Sequence, residues 1–512
     1  MRSALFLLCL SSGVLVGAEP PRITEIEIRT ENVFTPAEAA SAFFPYRLAN
    51  AIHVESRKSL IEKYLLFRVG DPLDRERLAE TERNLRATGL FWFALIHVEG
   101  SKVIVETADA WTLLLRGGSS NKGGVVTYQA GIEEQNLLGT GRQLNILYDK
   151  GSDRISRSIG FGDPAFLWPY TSVGLLYSDL SDGTVYDAHI VRPFYALDTP
   201  WEAGFSYHHA FFRQKLYASG EETTSWRERL RVARAEGGLL LSVTGNSAIR
   251  LIGSVEWSDA VLSSGQIGPP PPDGQSARRF LFLGFGLQRE GRNWIAPRDV
   301  DKISRVEDFN LAPAVRAELA LSPPLVGSTA AARVIASGSA GTTIPFGFAL
   351  GSLGVETRYA NGPRNTLLTG DLRGVAQSSG FTYVAHLGVM AGWRLDPEKQ
   401  IPLDGEHGVR GYRLNAVEGH GRVVGNLEVR TVFFYDVLKL VSFGAAAFIE
   451  AGVSWGAPDG FWHLADAGIG LRFGLTRAAQ TSLLRLDLAR AFRPDPLGRT
   501  GWLVSFGSSQ AF

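Results

Sequence analysis

From Trp111 to the C-terminus, apolar and polar residues alternate with a period of two. Such alternation puts successive side chains on opposite faces of a strand. Tyr128, Ala130 and Ile132 alternate with Gln129, Gly131 and Glu133. Ala467, Ile469, Leu471 and Phe473 oppose Asp466, Gly468, Gly470 and Arg472, and Leu484, Leu486 and Leu488 oppose Arg485 and Asp487. A one-sided sheet buries its apolar face in a soluble sandwich, or turns it outward to lipid around a wet lumen. The pattern persists for about 400 residues, beyond the usual limit of one soluble core, which favours the barrel. The stretch from Val437 to Trp455 is apolar enough to suggest a helix. Lys439, Glu450, Gly444 and Gly452 interrupt it, and its order is again two-residue, so a strand is expected.

Composition narrows the function classes. With 52 basic and 52 acidic residues the formal charge is zero, and nothing points to nucleic acid. The 57 glycines and 11 tryptophans suit many strands and turns. Arg2, the apolar run Leu5 to Leu10 and Val16-Gly17-Ala18 read as a secretory signal over residues 1–18. Cys9, the one cysteine, falls inside it, so the mature chain would hold no disulfide, thiolate metal site or cysteine nucleophile. There is no G-x-S-x-G elbow, and Gly468-Ile469-Gly470 lacks the further glycine and following helix of a dinucleotide loop. His208 and His209, adjacent on a strand, face opposite ways. No enzymatic activity and no cofactor are expected.

Residues 22–108 read differently. Ile23, Ile26 and Ile28 begin a strand, Ser56 to Phe67 and Asp74 to Thr88 have helical spacing, and a hairpin turns at Glu99-Gly100-Ser101. Asp74 suits an N-cap and Gly89 a helix stop. Strand, helix, helix, strand, strand is the order of a POTRA domain. Gly70-Asp71-Pro72 and Gly89-Leu90-Phe91 resemble its joints, although residues 31–55 exceed its usual length.

Four further motifs join this one. Gly408-Val409-Arg410-Gly411-Tyr412 resembles the V-R-G-[FY] loop, and Phe448-Ile449-Glu450-Ala451-Gly452 an F-x-D-x-G strand with Glu in place of Asp. Asn136 to Gly141 resembles an N-x-L-G-x-G turn. Arg499, Gly501, Trp502, Val504, Phe506 and the terminal Phe512 loosely resemble a C-terminal β-signal. Together these resemble the BamA/TamA-type outer-membrane assembly and secretion superfamily, as a bacterial surface antigen barrel with a single POTRA domain.

That resemblance implies a transmembrane antiparallel β-barrel of about 16 strands over residues 111–512, five of them after the V-R-G-Y loop. The POTRA-like domain would lie in the periplasm and the barrel in the outer membrane of a diderm bacterium. The loop would tuck into the lumen, with Arg410 forking onto the Glu450 carboxylate of the wall. On the residues alone, Glu450 has Arg430 or Arg472 as alternative partners. Pro269 to Pro272 cannot lie inside a strand and marks a loop, expected on the extracellular side. The implied partners are outer-membrane lipid, unfolded outer-membrane or secreted clients and periplasmic chaperones. Three roles stay open: an insertion or assembly factor, a secretion pore for a dedicated partner of the two-partner type, and a structural surface antigen.

Overall fold

The computed structural model describes residues 21–41, 43–122, 125–457, 460–479, 483–508 and 510. The expected signal over residues 1–18, Cys9 with it, and Phe512 lie outside them. After Pro21, β1 (Glu25–Glu31) leads through α1 (Pro36–Ala39), α2 (Phe44–Ile52), α3 (Lys58–Glu62) and α4 (Arg75–Ala87) to the hairpin β2 (Phe91–Glu99) and β3 (Lys102–Asp109). The strands lie in the order β1-β3-β2, with β1 parallel to β3, so the helices form the crossover that parallel neighbours require. Asp74 accepts the N–H groups of Glu76 and Arg77 and caps α4, while Gly89, at φ +71°, follows its end. Ile28, Leu60, Phe67, Leu78, Leu85 and Val105 share one core. The first expected helix is shorter than its spacing suggests. Only Lys58–Glu62 is helical, and Tyr64 and Phe67 reach the core from the turns that follow.

From Leu113 onward, twenty strands among the described residues form one sheet. Its first strand, Leu113–Lys122, lies beside its last, Trp502–Ser508, so the sheet returns on itself as a barrel. The other junctions have a defined antiparallel register. Sixteen strands were expected, and the excess lies before residue 420. Two-residue turns such as Gly245-Asn246 and Ser379-Gly380 leave the period-two pattern almost unbroken, so neighbouring strands merge when read from sequence. Five strands follow that point, starting at Gly421, Val441, Gly460, Leu483 and Trp502.

One face of this sheet is polar and turned inward. The other carries exposed large apolar side chains, among them Ile132, Phe285, Leu353, Leu427 and Ile469. Fully burying one such side chain is worth about 1.5–3 kcal/mol. Leaving about twenty of them half exposed to water therefore forgoes roughly 15–30 kcal/mol, more than the ~5–15 kcal/mol net stability of a typical domain. A face of this kind requires a non-aqueous neighbour. No helix among the described residues is long and apolar enough to cross a membrane.

The N-terminal unit docks on the turns at one end of the barrel. Arg57 Nε donates to the Leu138 carbonyl at 3.0 Å, and the Tyr170 hydroxyl to the Tyr64 carbonyl at 2.5 Å. A Cβ on Gly139 would come within 2.2 Å of the Glu55 carbonyl oxygen, so the Asn136–Gly141 turn needs glycine where the two units meet. The proline loop and the segment 394–420 both connect strands at the opposite, far end.

Candidate functional site: an ionic cluster that seats a lumen loop

The segment 394–420 folds back into the barrel. Inside it Ile401–Leu403 pairs with Val417–Gly419, and the Asp404 carboxylate accepts the backbone N–H groups of Glu406, His407 and Asn415. Asp404 also holds His407 Nδ1 at 2.7 Å. These bonds close the segment into a knot that presents Val409, Arg410, Gly411 and Tyr412, all buried, to the wall. Gly408 takes φ +108°, and a Cβ there would come within 2.4 Å of Val424.

Arg410 is 3 % exposed and meets three carboxylates. Its Nε lies 2.9 Å from Glu450 Oε1, one Nη 2.7 Å from Glu428 Oε2 and the other 3.1 Å from Asp487 Oδ2. Glu450 Oε2 accepts the Arg410 backbone N–H at 2.7 Å. The guanidinium therefore does not fork onto Glu450 alone, since each of its nitrogens has its own acceptor. Arg430 and Arg472 both bind Glu428, at 2.8 and 3.2 Å, while Asn426 Nδ2 donates to Glu450. With Arg485 on Asp487 and Asp466 accepting the Gly411 N–H, four arginines and four carboxylates are gathered here among the described residues.

The wall strands are shaped to hold this cluster. On Val441–Ala457 the alternation turns Phe448, Glu450 and Gly452 inward. The Phe448 ring lies under Arg410, with the guanidinium carbon 3.4 Å from its centroid. A Cβ on Gly468 would strike that ring at 2.3 Å, one on Gly470 would meet Asp487 at 2.0 Å, and one on Gly452 would meet Leu403 at 2.6 Å. The Gly468-Ile469-Gly470 pair thus clears space for the ring and the ion pairs. The Tyr412 hydroxyl has its one proton between the Ala465 carbonyl at 3.0 Å and that of Arg493 at 3.2 Å, and it accepts the Ala465 N–H at 3.1 Å.

Sequence reading named Arg410, Glu450, Arg430 and Arg472, but not Glu428, Asp487, Asp466 or Asn426 as partners. Their signal was parity: each occupies an inward position on one of the strands that follow the loop. A second feature carried no sequence signal. The segment 292–313, a connection at the N-terminal-unit end, enters the lumen from below. Glu307 gathers the N–H groups of Val300, Asp301 and Lys302 into its carboxylate. Val300 and Leu311 pack with Phe348, Val375 and Val384. Arg373 binds Asp301, and Arg430 donates to the Val300 carbonyl at 2.8 Å. Arg86 of α4 binds Asp308 at 2.7 and 2.8 Å. One polar chain therefore runs from Arg410 through Glu428 and Arg430 to this segment and on to the N-terminal unit.

The terminal motif divides. Trp502 and Val504 are exposed on the outer face of the last strand, while Ser505 is buried on the inner one. Arg499 and Gly501 precede the strand: Arg499 is bound to Asp495 at 2.7 Å in the turn, and Gly501 has φ +143°.

No protein-family model matches the chain, and no curated protein matches it. Among solved structures it is similar to BamA from Haemophilus ducreyi lacking POTRA domains 1–3, at 12% identity over 95% of this chain and 85% of that one, with a TM-score of 0.38. It is also similar to CdiB from Acinetobacter baumannii, at 13% identity over 96% and 74%, TM-score 0.48. CdiB from Escherichia coli gives 12% identity over 95% and 76%, TM-score 0.47.

Proposed function

We propose that this chain is an outer-membrane β-barrel that inserts or translocates client polypeptides, with residues 22–108 as a POTRA-like client-receiving domain in the periplasm. The exposed apolar outer face supports the membrane placement. Aromatic side chains near the strand ends, such as Tyr359, Trp393 and Trp502 at the far end and Trp201, Phe434 and Tyr435 at the near one, suit the two interfacial girdles of such barrels. Arg410 and its carboxylates act as the clamp that fixes the loop against the last strands.

The observation that carries this reading is a lumen occupied from both ends, by segments 394–420 and 292–313. A barrel filled in this way is not an open diffusion channel. Either a client leaves through the wall, between the first and last strands, or the two segments must yield for passage. We favour the wall, which makes insertion or assembly the leading role, because 394–420 is held by buried ion pairs and 292–313 by partly buried ones.

A disulfide engineered between Leu113–Lys122 and Trp502–Ser508 tests this in proteoliposomes. Locking the wall is expected to abolish insertion of a client barrel while the folded protein stays intact, with activity returning on reduction. Unchanged export of a soluble client by the locked form would instead select the secretion pore.

A further inference from the structure

Residues 31–55, longer than a POTRA module accounts for, hold a helix with an exposed apolar stripe. In α2, Phe44, Leu48 and Ile52 recur at intervals of four and are 62%, 47% and 54% exposed. That spacing aligns them on one helical face, and Ala51 lies between them. Tyr46, on the opposite face, is buried against Val33 and Phe34. Val54, just beyond the helix, is 50% exposed. A helix with three large apolar residues turned away from its own protein lacks a partner on that side.

The position of α2 indicates what covers it. The Tyr46 hydroxyl donates to the Leu438 carbonyl at 2.6 Å, and Glu38 of α1 binds Lys439 and Arg477. The helix is thereby fastened to the rim of the barrel. There Phe433, Phe434, Tyr435, Val437 and Leu438 form an exposed apolar and aromatic run at the end of Gly421–Val437. The helix that bears the stripe is thus anchored through its opposite face at a point of the rim where the apolar outer wall ends. Arg47 is exposed at the edge of the stripe, as is usual for helices lying among lipid headgroups.

We propose that α2 is an interfacial membrane helix. It lays Phe44, Leu48 and Ile52 into the lipid leaflet around the near end of the barrel, and so fixes the N-terminal unit against the bilayer as well as against the barrel turns. This rests on the membrane reading of the outer face.

The test uses the full chain in a Cys9→Ala background, reconstituted into phosphatidylethanolamine–phosphatidylglycerol vesicles. A nitroxide is placed in turn at Leu48→Cys, at the wall position Leu427→Cys and at the exposed α4 position Glu76→Cys. Accessibility to oxygen is compared with accessibility to a water-soluble nickel complex. Oxygen should exceed nickel at positions 48 and 427, and the ratio should invert at 76. Oxygen excess at 427 with nickel excess at 48 would overturn the helix placement and leave the membrane reading standing. A probe at 48 shielded from both reagents would overturn it in favour of a protein partner or a second copy. Nickel excess at 427 would overturn the membrane reading, and this inference with it.

Discussion

Arg410 is the residue on which the seat of the loop depends most. Truncating it leaves Glu428, Glu450 and Asp487 buried with one cation fewer, and uncompensated buried charge costs roughly 3–5 kcal/mol. Glu450→Ala should cost less, because Arg410 keeps two other acceptors. The pair should therefore couple in a double-mutant cycle by about 0.5–3 kcal/mol, short of the full Arg410 effect. Strictly additive losses in chemical unfolding, or in protease sensitivity of the loop, would refute the pairing. Arg410→Lys should not rescue, since one ammonium cannot replace three separately directed nitrogens. Within the same loop, burial and the nearby Asp404 charge push the Glu418 carboxyl up to about 8, against the pull of Arg422. An acid whose folded pKa is raised binds more protons folded than unfolded, so between its ordinary value and about 8 stability falls as pH rises. The loop should therefore exchange amide hydrogens less readily at pH 6 than at pH 9, after correction for intrinsic rates, in a Glu418-dependent way. Equal pH sensitivity in Glu418→Gln would assign it to another group.

At the scale of elements, strand parity decides which substitutions the barrel tolerates. Trp502 lies on the outer face of the last strand and Ser505 on the inner one. A charge on a lipid-facing position costs about 2–4 kcal/mol near the midplane and less near an interface. Trp502→Asp, at the end of its strand, should cost about 0–1 kcal/mol in this setting. Val504→Arg, two residues further in, should cost more and lower the membrane yield. Ser505→Ala should leave yield unchanged. Equal yields for Val504→Arg and Ser505→Ala would mean that the faces are assigned wrongly. Sequence showed this parity plainly because a two-residue period is a local property. It did not show where one strand ends and the next begins, since turns of two residues carry few breakers. Nor did it show that 292–313 enters the lumen: Glu307 organises that segment through backbone N–H groups, which have no sequence signature.

For the whole molecule, the two segments that fill the lumen decide whether the barrel conducts. In planar bilayers the intact chain should show little steady conductance. Replacing residues 294–309 with a short turn should open a stable channel, and Arg373→Ala, which leaves Asp301 with only the longer Arg430 pair at 3.6 Å, should produce intermittent openings. A large steady conductance from the intact chain would show that the lumen is not blocked. Arg86→Ala should loosen the N-terminal unit from 292–313, detected as faster proteolysis there, while the mobility of the unheated barrel on gels stays that of the unsubstituted chain.

Sequence alone determined the β character, the inward and outward faces and the break near residue 110, because side-chain periodicity and helix caps are written in neighbouring residues. Arg410 and Glu450 were legible as a pair of motifs. Tertiary structure decided the rest of the cluster, since Glu428, Asp466 and Asp487 lie on different strands and meet Arg410 or its neighbour Gly411 only after the sheet has rolled. Strand number, and the meeting of two segments from opposite ends, likewise follow from closure, a condition that no local stretch of the chain encodes.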